Sequence, residues 1–132
     1  VAPGGMANFT LCIFRNNSAD RAGGAVAVAE EASAAVSGTV FTRNSAATGG
    51  AVAVAGDVLV TSSNFTMNEA ELGGALALTA SSASLRAKGV VLAGNGASTA
   101  GGGVFVSAGA NLTMQWSTVE TNTAGTGGGL AG

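Results

Sequence analysis

Residues Phe41–Val54 read FTRNSAATGGAVAV: an Asn three places after a Phe, then small residues, a Gly-Gly pair and alternating valines. The same order recurs along the chain. Phe14-Arg-Asn-Asn17, Phe41-Thr-Arg-Asn44 and Phe65-Thr-Met-Asn68 share F-x-x-N, and Leu92…Asn95 and Val119…Asn122 continue it with an aliphatic first residue. An alanine lies two residues after each Asn. The pairs Gly23-Gly24, Gly49-Gly50, Gly73-Gly74, Gly101-Gly102 and Gly127-Gly128 follow five or six residues after it. The Asn spacings are 27, 24, 27 and 27. Five units in one register mark a solenoid.

Each Gly-Gly introduces a period-two apolar stretch: Val26/Val28, Val52/Val54, Leu76/Leu78, Val104/Val106 and the start of a fifth at Leu130. That period belongs to strands. A second alternating set, Ala7/Phe9, Val58/Val60, Leu85/Ala87 and Leu112/Met114, precedes the Phe column. The alternation must break once between the two, at the column holding Leu11, Gly38, Gly89 and Trp116. The Gly-Gly pairs and β-branched residues leave no 3.6-residue stripe for a helix. Three short strands in about 26 residues leave no room for crossover helices, so each strand pairs with its equivalent one unit away. The expected fold is all-β: a right-handed parallel β-helix of about five coils of 24–28 residues, with three short strands per coil. Strand spacing gives it a length of roughly 24 Å.

Stacked coils place Asn17, Asn44, Asn68, Asn95 and Asn122 in one column, where each amide can donate to one neighbour and accept from the other. Asn also suits the left-handed backbone of a sharp turn. The glycine pairs enter the next strand where positive φ or close backbone approach is needed. A phosphate-cradling reading fails, because no Gly-rich segment leads into Lys-Ser/Thr. A single coil cannot offset its own ordering entropy, so stability must reside between coils. Both ends stop within a unit without a polar cap. Residues 1–132 are therefore expected to form one β-helix segment excerpted from a longer solenoid, with head-to-tail contact through the open ends as a related expectation.

Composition narrows the function. The chain of 132 residues carries a net charge of −2, with 9% charged residues, no His and only five Lys+Arg. That argues against nucleic-acid partners, and no apolar run is long enough for a membrane span. Cys12 stands alone, which excludes a disulfide framework or a CxxC metal pair and reads as a small apolar filler, or as half of a bond to a segment outside this chain. No cofactor or metal site is expected. The acids Asp20, Glu30, Glu31, Asp57, Glu69, Glu71 and Glu120 show no ordered acid–base pair, so they read as solvated turns and not as catalytic groups. Arg15, Arg21, Arg43, Arg86 and Lys88 read as solubility. Thr10, Thr42, Thr66 and Thr113 do not form the single column that an ice- or mineral-binding face needs.

The pairing of F-x-x-N with G-G-A-(V/L), clearest in FTRNSAATGGAVAV and FRNNSADRAGGAVAV, resembles the repeat of the chlamydial polymorphic outer membrane proteins. The resemblance covers the whole chain as five copies, with Leu92, Val119, Gly103 and Gly129 departing from the pattern. It implies a secreted right-handed β-helix of the pectin-lyase-like class, often an adhesive passenger domain, and similar repeats occur in large extracellular proteins of other lineages, including algae. Four sequons fit that setting: Asn8, Asn16, Asn64 and Asn111 are candidate N-glycosylation acceptors, with Asn8 and Asn64 facing outward, Asn111 starting a strand and Asn16 abutting the Asn column. The expected role is a non-enzymatic extracellular or cell-surface scaffold, adhesive or structural, whose turns meet other copies, surface or wall proteins, or glycans. The alternative is a β-helix domain of a polysaccharide-active enzyme whose active site lies outside this segment. Unit length varies mostly in the turn after each Gly-Gly strand, which makes that turn, with Glu30, Glu31 and Asp57, the expected contact face.

Overall fold

The computed structural model describes residues 1–132 and contains strands, turns and no helix. Alternation does what the sequence implies. Strands Met6–Thr10, Ser33–Ser37, Asp57–Thr61, Ser84–Lys88 and Asn111–Gln115 form the first sheet. Ile13–Arg15, Val40–Thr42, Asn64–Thr66, Val91–Ala93 and Thr118–Glu120 form the second, and Val26–Val28, Val52–Val54, Leu76–Leu78, Val104–Val106 and Leu130–Ala131 the third. Every pairing is parallel and joins equivalent residues of consecutive coils: Phe14 with Phe41, Phe41 with Phe65, Phe65 with Leu92. Ser33–Ser37 supplies the first-sheet strand of the second coil, where small Ala34 and Val36 face inward and mute the pattern.

Each coil also carries a short fourth stretch. Glu69–Leu72 pairs with Gly96–Ala100, and single bridges such as Ser18 with Ser45 and Gly96 with Thr123 extend this strip through the other coils. Three strands per coil is thus right for the main sheets, with a narrow additional ladder between the Asn corner and the glycine pair. Too few apolar residues line that strip for alternation to reveal it.

The interior is a thin apolar column in which Phe41, Phe65, Leu76, Leu78, Leu85 and Leu92 are fully buried. Register turns like side chains into stacks. Phe14 lies parallel to Phe41 at 4.9 Å between centroids, Phe41 lies parallel to Phe65 at 4.6 Å, and Phe9 meets Phe14 edge-on at 5.3 Å. The offsets of aromatic stacking are built from the strand spacing itself. Leu92 and Val119 extend the column where the aromatic series ends.

Candidate functional site: ladders, corners and outer faces

The asparagine column exists as a hydrogen-bonded ladder. Asn17 Nδ2 donates to Asn44 Oδ1 at 3.1 Å, Asn44 to Asn68 at 3.0 Å, and Asn68 to Asn95 and Asn95 to Asn122 at 2.9 Å. Each Oδ1 from Asn44 onward also accepts the backbone N–H of the Asn in the preceding coil. Each Nδ2 from Asn44 onward also donates back to the preceding coil, to the carbonyl of Phe14, Phe41, Phe65 or Leu92, which for Asn122 is the one bond its Nδ2 makes. An interior amide such as Asn68, fully buried, therefore makes four bonds and has no capacity unused. Every buried side-chain nitrogen and oxygen in the protein is likewise partnered.

The left-handed residue of this corner is not the ladder Asn but the one before it: Asn16, Arg43, Met67, Gly94 and Thr121 have φ between 53° and 66°. The expectation that Asn supplies the turn conformation is corrected here. The turn residue points its side chain out, and the Asn that follows is swung inward to bond.

The glycine pairs divide their labour. The first member, at Gly23, Gly49, Gly73, Gly101 and Gly127, has positive φ. At the second, Gly24, Gly50, Gly74 and Gly102, an added Cβ would collide with main-chain carbonyls of the following coil. Both expected reasons hold, one for each residue.

A second ladder lies at the corner between the first and second sheets. Leu11, Gly38, Ser62, Gly89 and Trp116 all take left-handed φ there, from 47° to 64°. The next residues, Cys12, Thr39, Ser63, Val90 and Ser117, turn inward. Cys12 N–H donates to Thr39 Oγ1, Thr39 N–H to Ser63 Oγ, and Val90 N–H to Ser117 Oγ, at 3.1–3.3 Å. Each hydroxyl donates to the carbonyl two residues before it, and Cys12 Sγ does the same to Thr10 at 3.4 Å. The lone cysteine occupies a hydroxyl's place, a role its sequence context as an apolar filler did not reveal. The ladder's one trace in sequence is a small residue directly after the corner residue, a hydroxyl only at Thr39, Ser63 and Ser117.

The four sequon asparagines, Asn8, Asn16, Asn64 and Asn111, are all exposed; Asn111 begins its strand as expected, and Asn16 sits in the left-handed corner position beside Asn17. Asp20, Glu69 and Glu71 surround an open depression floored by Ala46 and Ala47. Glu30, Glu31 and Asp57 do converge, around a depression of about 300 Å³ at the turns after the third sheet. These turns are where coil length varies: residues 29–32, 55–56, 79–83 and 107–110 link the third sheet to the first. No three His, Cys, Asp or Glu side chains stand close enough to hold a metal ion. The threonines fall in separate columns, Thr42 and Thr66 together, Thr10 with Thr61, and Thr113 beside Arg86. The outer face of the first sheet carries Arg86 and Lys88 against one acid, Asp57, and at its far corner Lys88 Nζ sits 4.9 Å from the centroid of Trp116, which is 82% exposed.

No helix is long and apolar enough to cross a membrane. No curated protein and no solved structure matches the chain. Residues 3–131 match the family described as the right handed beta helix region. With stacked parallel coils over the same residues, the chain belongs to the right-handed β-helix family.

Proposed function

We propose that this chain is a non-enzymatic scaffold segment of an extracellular or cell-surface protein, with a repeat akin to that of the polymorphic outer membrane proteins. The observation that carries the reading is the division of each coil into an invariant interior and a variable exterior. The Asn ladder continues through all five coils without a break, while length changes fall mostly in the turns after the third sheet. A polar ladder that never lapses resists shear between coils, and turns of varying length on a stiff support suit partner contact. Glu30, Glu31 and Asp57 form the first such contact patch. The carboxylates are spread over separate depressions, which supports a display role over acid–base chemistry within this segment. Asn8, Asn16, Asn64 and Asn111 are N-glycan acceptors in this reading.

Native protein tests it directly. Fractionation should find it in the secreted, wall or surface fraction, and peptide mass spectrometry should find glycan on at least one of the four asparagines. Incubation of the purified chain with polysaccharides should release no new chain ends. Recovery from the cytosol, or turnover of a polysaccharide, would overturn the reading.

A further inference from the structure

We propose that Asn95-Gly96 is a self-modification site and a one-way latch between the third and fourth coils: sealed while the coils are stacked, it converts Asn95 to aspartate or isoaspartate once they part. The latch extends beyond the scaffold reading and needs nothing from it.

A glycine without a structural reason is the first observation. Main-chain crowding imposes the glycine pairs, but Gly96 has no positive φ, and a Cβ there would meet only Thr123 Oγ1 at 3.6 Å, an ordinary contact. The other coils fill this position with Ser18, Ser45, Glu69 and Thr123. What the glycine changes is reactivity. With no side chain of its own it leaves its nitrogen open to the preceding Asn Cγ, and its backbone turns freely toward it. Of the nine asparagines, Asn95 alone precedes glycine. The reaction consumes only water. Hydroxide takes the Gly96 N–H proton, the nitrogen pair bonds to Asn95 Cγ, and the Cγ–Nδ2 bond breaks as Nδ2 takes up a proton and leaves as ammonia. Water then opens the cyclic imide at either carbonyl, giving aspartate or isoaspartate, and nothing is oxidised or reduced.

In the stacked coils every participant is engaged. Asn95 is 1% exposed. The Gly96 N–H donates to the Asn68 carbonyl at 2.9 Å, so the nucleophile keeps its proton. The leaving Nδ2 donates to the Phe65 carbonyl and to Asn122 Oδ1, both at 2.9 Å. Asn95 Oδ1 accepts from the Asn68 N–H at 3.0 Å and from Asn68 Nδ2 at 2.9 Å. All but the Asn122 bond run to the third coil. That junction lacks two links that the first three coils share: Val90 gives the Ser63 N–H no acceptor, and the phenylalanine stack ends at Phe65 against Leu92. The contact that seals the pair is therefore the least tied. Conversion cannot be undone by restacking. Aspartate has acceptors and no donor, so at 95 it would set oxygen against the Phe65 carbonyl and Asn122 Oδ1 and bury a charge. Isoaspartate adds a carbon to the main chain and displaces the pairing of the strip.

The test incubates the full chain in warm, mildly alkaline buffer, either native, in urea below the unfolding transition, or fully unfolded in urea. Peptide mass spectrometry follows the amide-to-acid change at each asparagine. In the unfolded chain Asn95 should convert at least about tenfold faster than any other Asn, and Gly96→Ala should slow it about tenfold or more, a comparison that needs no folded protein. Native stacking should slow conversion at least about tenfold, and urea below the transition should restore part of the rate while the circular dichroism stays native. Converted molecules, separated by ion exchange, should refold with a lower urea midpoint than unconverted ones. Equal conversion at another Asn, native protein converting as fast as unfolded, a rate that rises only with global unfolding, no slowing in Gly96→Ala, or an unchanged midpoint after conversion would each overturn the latch. None of these outcomes bears on the scaffold reading, which fractionation and glycan mapping decide.

Discussion

At both corners flanking the second sheet, the chain turns on one left-handed residue and then presents a polar side chain that accepts an N–H from the coil before it. Beyond that shared step the corners diverge. At the second corner each interior amide also donates to the amide of the next coil, so side chains are bonded to side chains from Asn17 to Asn122. At the first corner the hydroxyl has a single proton and uses it on the carbonyl two residues back, so coils are linked only side chain to backbone. The difference lies in donor count. An amide with two protons and an acceptor oxygen can propagate a ladder, and a hydroxyl ends it locally. The corners tolerate change accordingly: the first admits Cys12 and Val90, and the second admits nothing but Asn.

Breaking the Asn corner should have the largest effect. Asn68→Ala removes four bonds and strands the Asn44 amide donors in a buried site, so equilibrium urea unfolding should show a loss of about 3–4 kcal/mol. The same operation at the hydroxyl corner should be milder. Thr39→Val keeps the shape but deprives the Cys12 N–H of its acceptor and should cost about 1–2 kcal/mol, read by the same titration. Completing the weaker ladder should help. Val90 is buried and offers no oxygen to the Ser63 N–H of the coil before it, so Val90→Thr should add about 1 kcal/mol of stability; a lower midpoint would show that the lost apolar packing outweighs the bond. The smallest effect belongs to the turn residues themselves. Met67→Gly relieves a left-handed residue with a half-exposed side chain, and thermal unfolding should show a gain of about 0.5–1 kcal/mol.

The contrast between the corners also explains what could be read from the sequence. The Asn ladder was legible because its chemistry accepts one residue type, so the column repeats letter for letter. The glycine pairs were legible for the same reason, since a Cβ at either member would run into main-chain atoms. The hydroxyl ladder was not legible, because Cys12, Thr39, Ser63, Val90 and Ser117 share a geometry but no single identity. The strand Ser33–Ser37 escaped for a related reason: Ala at inward positions carries little hydrophobic contrast with Ala and Ser outside. The left-handed position beside Asn escaped because residues as different as Asn16, Arg43 and Thr121 fill it. Columns set by an atom count are visible in sequence, and columns set by a dihedral angle are not. The exposure of Trp116 could not be read either, since one residue has no periodicity to interpret.

The ladder bonds join residues 24 or 27 apart in every coil, from the first pair to the last. Loop closure therefore carries the same entropic charge for each added turn, whatever the total number of turns. Once two turns have zipped together, growth resembles laying rows on a crystal face, each row templated by the one beneath it. A protein built this way can be lengthened by duplication without slowing the addition of any single layer.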